Sequence, residues 1–233
     1  MNGTAGEDHA VPTQWYRTTA WDAPAREEFE ARLRRARADN RSQYLRIKAR
    51  GLAGAGRPRD AEQLLRRLLA EYPDAFDAPS AMEALGDLAA QDGRPAEAVD
   101  WYRRLLGRRP DLNGTTGTAR ISLASALVRL GRHEEALAAL DDVDDAALTM
   151  NSAVFGYRVV LAEAAAGLGD RDTAAHAARA ALDLLDAPDQ FFRHPGVGRA
   201  RPTRAQLRRL RALARAGGRA APSARTWRRF IRR

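Results

Sequence analysis

The chain is 233 residues long, enough to bury a substantial core, and carries 39 Lys and Arg against 30 Asp and Glu, a net charge of +9. It has no cysteine, which excludes disulfides, thiolate metal sites and a cysteine nucleophile. Alanine, leucine and arginine dominate, β-branched runs are absent, and no stretch of about 18 apolar residues offers a transmembrane helix; an all-α protein is expected.

Residues 190–233 hold fourteen arginines and no acid, which leaves 25 basic against 30 acidic side chains in the rest. The body is mildly acidic and the C-terminal region strongly basic. Lys48 is the only lysine, a bias that reads as GC-rich codon usage rather than a demand for guanidinium.

Residues 1–14 offer little to pack and are expected to be disordered. They lack the basic start and apolar core of a secretory signal, so a cytoplasmic location is expected. Trp15, Tyr16 and Trp21 are too much aromatic surface to leave in water, and should dock on the first helices. Asp22 is placed to cap a helix with Pro24 in its first turn, running to about Ala38 with Phe29, Leu33 and Ala36 inward. Residues 15–40 thus form an N-terminal capping helix.

Ala81 to Pro110 reads as two helices around a tight turn. Met82, Leu85, Leu88 and Ala89 recur at helical spacing, Asp92-Gly93 breaks the pattern, and Ala98, Val99, Tyr102, Leu105 and Leu106 follow after Pro95. The pattern repeats. Turns at Gly56, Gly93, Gly131 and Gly169 recur every 37 or 38 residues. Small residues stand at matched places on the first helix of each pair (Ala49, Gly86, Ala124, Ala162) and on the second (Ala61, Ala98, Ala136, Ala174). Helices that cross closely need such residues, and a pair that cannot bury its own apolar face must stack on the next.

Leu85-Gly86, Ala98-x3-Tyr102 and Pro110 stand in the register of the tetratricopeptide repeat. Met82 replaces that pattern's tryptophan and Ala89 its tyrosine, and repeats three and four lack the closing proline. Residues 41–187 resemble this family over about four repeats. The resemblance implies a right-handed α-α superhelix, a helical-repeat solenoid with N- and C-terminal capping helices. The array would fill 41–188, a connector and C-terminal helix 189–216, and a basic tail 217–233.

The loop from Asp111 to Thr118 is glycine-rich but has no Gly-Lys-Ser/Thr, so it reads as a loop in which Thr116 or Thr118 caps the next helix. Asp141 to Asp145 lacks the glycine and closing glutamate of a calcium loop and reads as a solvated helix end. Phe191 and Phe192 are placed to cap the last repeat, and Thr203 with Gln206 has capping-box spacing at the head of a helix to about Ala216.

The four histidines have no ligand spacing, and no nucleophile elbow or paired helical carboxylate is present. No catalytic residue, metal site or cofactor is expected. The resemblance instead implies a concave groove lined by the first helix of each pair. Matched positions are Gln43, Arg46 and Arg50; Ser80, Glu83 and Asp87; Ile121, Ser125 and Val128; and Val159 and Glu163.

The reading is a non-enzymatic scaffold that takes a protein or peptide in this groove. The alternative is a regulatory protein attached to nucleic acid or an anionic membrane through Arg225, Arg228, Arg229, Arg232 and Arg233, which flank Trp227, Phe230 and Ile231. Pairing of copies through the aromatic ends stays open.

Overall fold

The computed structural model describes residues 14–217, and the tail arginines Arg225 to Arg233 lie outside them, as do residues 1–13. Among the described residues there are ten α-helices and no strand: α1 Ala23–Arg35, α2 Ala38–Gly54, α3 Pro58–Glu71, α4 Ala78–Gln91, α5 Pro95–Arg108, α6 Ala119–Arg129, α7 His133–Asp141, α8 Asn151–Gly167, α9 Arg171–Asp183 and α10 Arg204–Ala216. In the first unit α2 packs on α3, and in the second α5 to α10 pack in succession, the arrangement of a helical-repeat solenoid. Two compact units divide at Leu85 and Gly86, within α4.

The four repeat turns share one geometry. Gly56, Gly93, Gly131 and Gly169 have φ of 76°, 75°, 73° and 79°, the left-handed region that glycine enters without a Cβ penalty. The next residue's N–H reaches back five places in each: Arg57 to Leu52, Arg94 to Ala89, Arg132 to Leu127 and Asp170 to Ala165, all at 2.8–2.9 Å. This satisfies carbonyls that a helix end leaves free. The same four residues then brace the following helix. Arg57 pairs with Asp60, Arg94 with Glu97 and Arg132 with Glu135. Asp170 caps α9 directly through the Thr173 N–H.

The small residues matched across repeats are at the centre of the packing. Ala49, Ala61, Ala98, Ala124, Ala136 and Ala162 are fully buried, and Ala174 nearly so. Gly86 faces Tyr102 so closely that no side chain fits between them.

In the first unit Asp22 accepts from the Ala25 N–H and starts α1, which ends at Arg35, three residues short of the expected Ala38. Trp15 and Tyr16 form a 3-10 turn whose rings pack on Tyr44 at 5.1 and 4.6 Å, and Trp21 meets Phe29 at 5.4 Å. The lone lysine holds this segment down. Lys48 is 1% exposed and donates to the Thr18 carbonyl at 2.6 Å, the Thr18 hydroxyl at 3.0 Å and the Ala20 carbonyl at 3.1 Å. Burial lowers its pKa, with Glu28 acting in the opposite direction. Three converging oxygens suit a compact ammonium with three donors.

In the second unit the expected C-terminal helix covers the last repeat, and the aromatic pair expected to cap it does not. Phe192 is 96% exposed and Phe191 is also on the surface. The last repeat is covered instead by α10, whose Leu210 packs among Phe155, Val159, Ala162, Ala177, Ala178 and Ala181. Thr203 and Gln206 form the full capping box that starts it. Thr118 stands at the head of α6 but caps nothing; its hydroxyl lies 2.8 Å from that of Thr116, and the loop is held by Thr115 accepting from the Gly117 N–H.

Candidate functional site

The second unit contains an open cleft of about 430 Å³ along α4, α6 and α8. These are the first helices of three successive pairs. Because residues three and four apart share a helix face, α6 brings Ile121, Ser122, Ser125 and Arg129 to one wall and α8 brings Ser152, Phe155, Gly156 and Val159 to the other. Asp87 and Gln91 of α4 and Tyr102 of α5 also line it, and Arg201 and Gln206 join them from the connector and α10. The floor is therefore apolar and the rim polar, with two guanidinium groups.

Asp87 is the chemically distinctive group. The Tyr102 hydroxyl donates to its Oδ1 at 2.7 Å. Burial pushes its carboxyl above the usual carboxylate range, and the Tyr102 hydrogen bond works in the opposite direction. Arg129 is tied across the cleft end, its guanidinium donating to the Ala90 carbonyl. Among the described residues no group of three His, Asp or Glu side chains is arranged to hold a metal ion.

Of the positions matched from the sequence, Asp87, Ile121, Ser125 and Val159 come together in this cleft. Val128 is buried and lies off its lining. Glu163 continues the α8 stripe, but Arg209 of α10 covers it with an ion pair at 3.1 Å. In the first unit Gln43 and Arg50 are exposed on α2. Arg46 is engaged, donating to Asp77 at 2.6 Å, while Ser42 donates to the other oxygen of Asp77 at 2.9 Å. Ser80 is half-buried and Glu83 buried.

Sequence reasoning missed Ser122, Arg129, Ser152, Phe155, Gly156, Arg201 and Gln206. The signal for α8 was periodic: Ser152 and Gly156 precede Val159 at helical spacing on the same stripe. On α6 the residues that line this cleft include Ser122 and Arg129 and not Val128. Arg201 and Gln206 arrive from outside the repeats, and no repeat pattern points to them.

A protein-family comparison matches residues 48–113 to the tetratricopeptide repeat. Over those residues the chain is similar to the tetratricopeptide repeat. The match takes in α3, α4 and α5 with the end of α2, and so the turns at Gly56 and Gly93. Tetratricopeptide repeats generally mediate protein–protein interactions and are typically non-catalytic scaffolds. No curated protein matches the chain. Among the described residues, no helix is long and apolar enough to cross a membrane.

Proposed function

We propose that the protein is a non-enzymatic scaffold that binds an extended peptide segment of a protein partner in the cleft along α4, α6 and α8. The observation that carries this is the cleft's composition. An apolar floor of Ile121, Phe155 and Val159 lies between polar walls, under a rim that bears Arg129 and Arg201. Such a site suits a segment that inserts an apolar side chain and presents an acidic group to the rim. Tetratricopeptide repeats bind protein partners in general, and the assignment to this cleft is our reading.

The test fills the cleft without disturbing the core. Ser125 is half-buried on the α6 wall, and Ser125→Arg projects a long side chain into the space. Proteins captured by the wild type and by Ser125→Arg are compared quantitatively, with circular dichroism to verify the fold. Partners lost from the variant support the cleft as the binding site. The same partners in the same amounts refute it.

A further inference from the structure

The connector between α9 and α10 carries a feature that the peptide-binding cleft does not use. Phe192 is 96% exposed, and Val197, Met150 and Phe191 are exposed around it at 47%, 37% and 37%. Met150 and Phe191 flank Gly198, and Phe192 and Val197 are next to Phe191 and Gly198 in the chain. A Cβ on Gly198 would stand 3.1 Å from the Met150 sulfur and 3.6 Å from the Phe191 ring.

The loop that displays them is tied down. The Gln190 side-chain Oε1 accepts from the Asn151 N–H at 2.7 Å, and its Nε2 donates to the Thr149 carbonyl at 2.8 Å. The Gly198 carbonyl accepts from the Ser152 N–H at 2.7 Å, and Asp189 accepts from the Gly196 N–H at 3.1 Å. A chain held this firmly could turn a phenyl ring inward at little cost, yet Phe192 projects into water.

Charge selects the partner. Arg193 and Arg199 are exposed along the same connector, and between residues 190 and 217 there is no acidic side chain. Asp189, at its edge, is already matched by Arg199. We infer that this connector docks the protein on an anionic membrane surface, with Phe192 entering the acyl boundary and the arginines meeting lipid phosphates. A projecting apolar group amid one-signed charge fits a deformable lipid interface. A folded protein partner would need a socket shaped for the ring. Single-stranded nucleic acid would use aromatic faces as stacking platforms, a role open to neither Met150 nor Val197.

The absence of cysteine makes the test clean. Phe192→Cys in the full chain, labelled with an environment-sensitive fluorophore, is titrated with phosphatidylcholine vesicles, with phosphatidylcholine–phosphatidylglycerol vesicles, and with oligothymidine. A label at exposed Gln63 is the control. In parallel, unlabelled wild type and Phe192→Asp are sedimented with the same vesicles. The expected result is a fluorescence rise at residue 192 alone, with the anionic vesicles alone. Phe192→Asp should bind them about tenfold more weakly, as loss of one buried aromatic side chain implies. The inference is overturned if the wild type does not sediment, if Phe192→Asp sediments equally well, or if the probe answers oligothymidine and not vesicles.

Discussion

Tyr102 occupies the space that a side chain at Gly86 would need. A Cβ built on Gly86 would lie 2.5 Å from Cε1 of the Tyr102 ring and within 2.9 Å of two more of its atoms. Tyr102 cannot simply withdraw, because it is 1% exposed and its hydroxyl is engaged by Asp87. Gly86→Ala is therefore expected to destabilise the protein by about 1–3 kcal/mol through overpacking, and Gly86→Leu by more. The double variant Gly86→Ala/Tyr102→Leu should lose less than the two single changes added together, since each removes the other's obstacle. Thermal melting of the four proteins checks this; strict additivity would show that the two residues do not meet.

Asp87 gives the stability of the protein a pH signature. Its folded pKa is raised, so between the ordinary carboxylate value and the raised one the folded state holds a proton that the unfolded chain has released. Stability from this group is full below that window and falls as pH rises through it. Asp87→Asn keeps an oxygen to accept from Tyr102 and removes the charge. Relative to wild type, it should gain stability between about pH 4 and about pH 7. Melting temperatures at the two pH values decide the matter, and a constant difference would count against it.

Lys48 should not tolerate replacement by the arginine used everywhere else in this chain. A planar guanidinium cannot aim three donors at the Thr18 carbonyl, the Thr18 hydroxyl and the Ala20 carbonyl together. Lys48→Arg and Lys48→Ala are both expected to lower stability by roughly 1.5–3 kcal/mol, the range for hydrogen bonds to a charged group. Loosening of the segment should change the emission of Trp21, whose ring lies 5.0 Å from the ammonium. In the wild type the lowered pKa makes the folded state release its proton first. Stability should therefore climb with pH just below the ordinary lysine value.

Asp77 is the anchor of the first unit's other polar cluster. Its side chain takes Ser42 and Arg46 at 2.9 and 2.6 Å. Asp77→Ala should cost roughly 1.5–3 kcal/mol by leaving Arg46 without its carboxylate. Ser42→Ala should cost less, because the ion pair survives. Arg46→Glu would set two carboxylates against each other and disturb the fold, so Arg50→Glu is the better probe of the α2 surface. Denaturant midpoints should fall most for Arg46→Glu and Asp77→Ala and less for Ser42→Ala, with Arg50→Glu closest to wild type.

The repeat positions were legible in the sequence because packing constrains them twice. Gly93 must accept a left-handed backbone, and Ala98 must let two helices touch, so both leave a recurring mark. The cleft was half legible. Asp87, Ile121, Ser125 and Val159 follow from helix periodicity once the pairs are known. Arg201 and Gln206 come from the connector and α10, and their arrival depends on how that helix docks. Lys48 was invisible as a structural residue, since its three acceptors are oxygens of an irregular segment about 30 positions away in sequence. Phe192 was misjudged for a related reason: an aromatic pair suggests burial, and the sequence does not reveal that Leu210 already fills the space.

The docking of α10 also sets where this protein could grow. Leu210 lies against α9, the Ala214 carbonyl accepts from Arg179 at 2.9 Å, and Arg209 holds Glu163. With that face of α9 covered, a fifth helix pair appended after Gly217 would meet, among the described residues, the arginine-rich outer side of α10 and not the apolar face of α9. Spliced between α9 and the connector, it would inherit the face of α9 and pass its own to α10. Lengthening the array by design, or by duplication of a repeat, is therefore an internal operation, with α10 carried along as a movable end-plate.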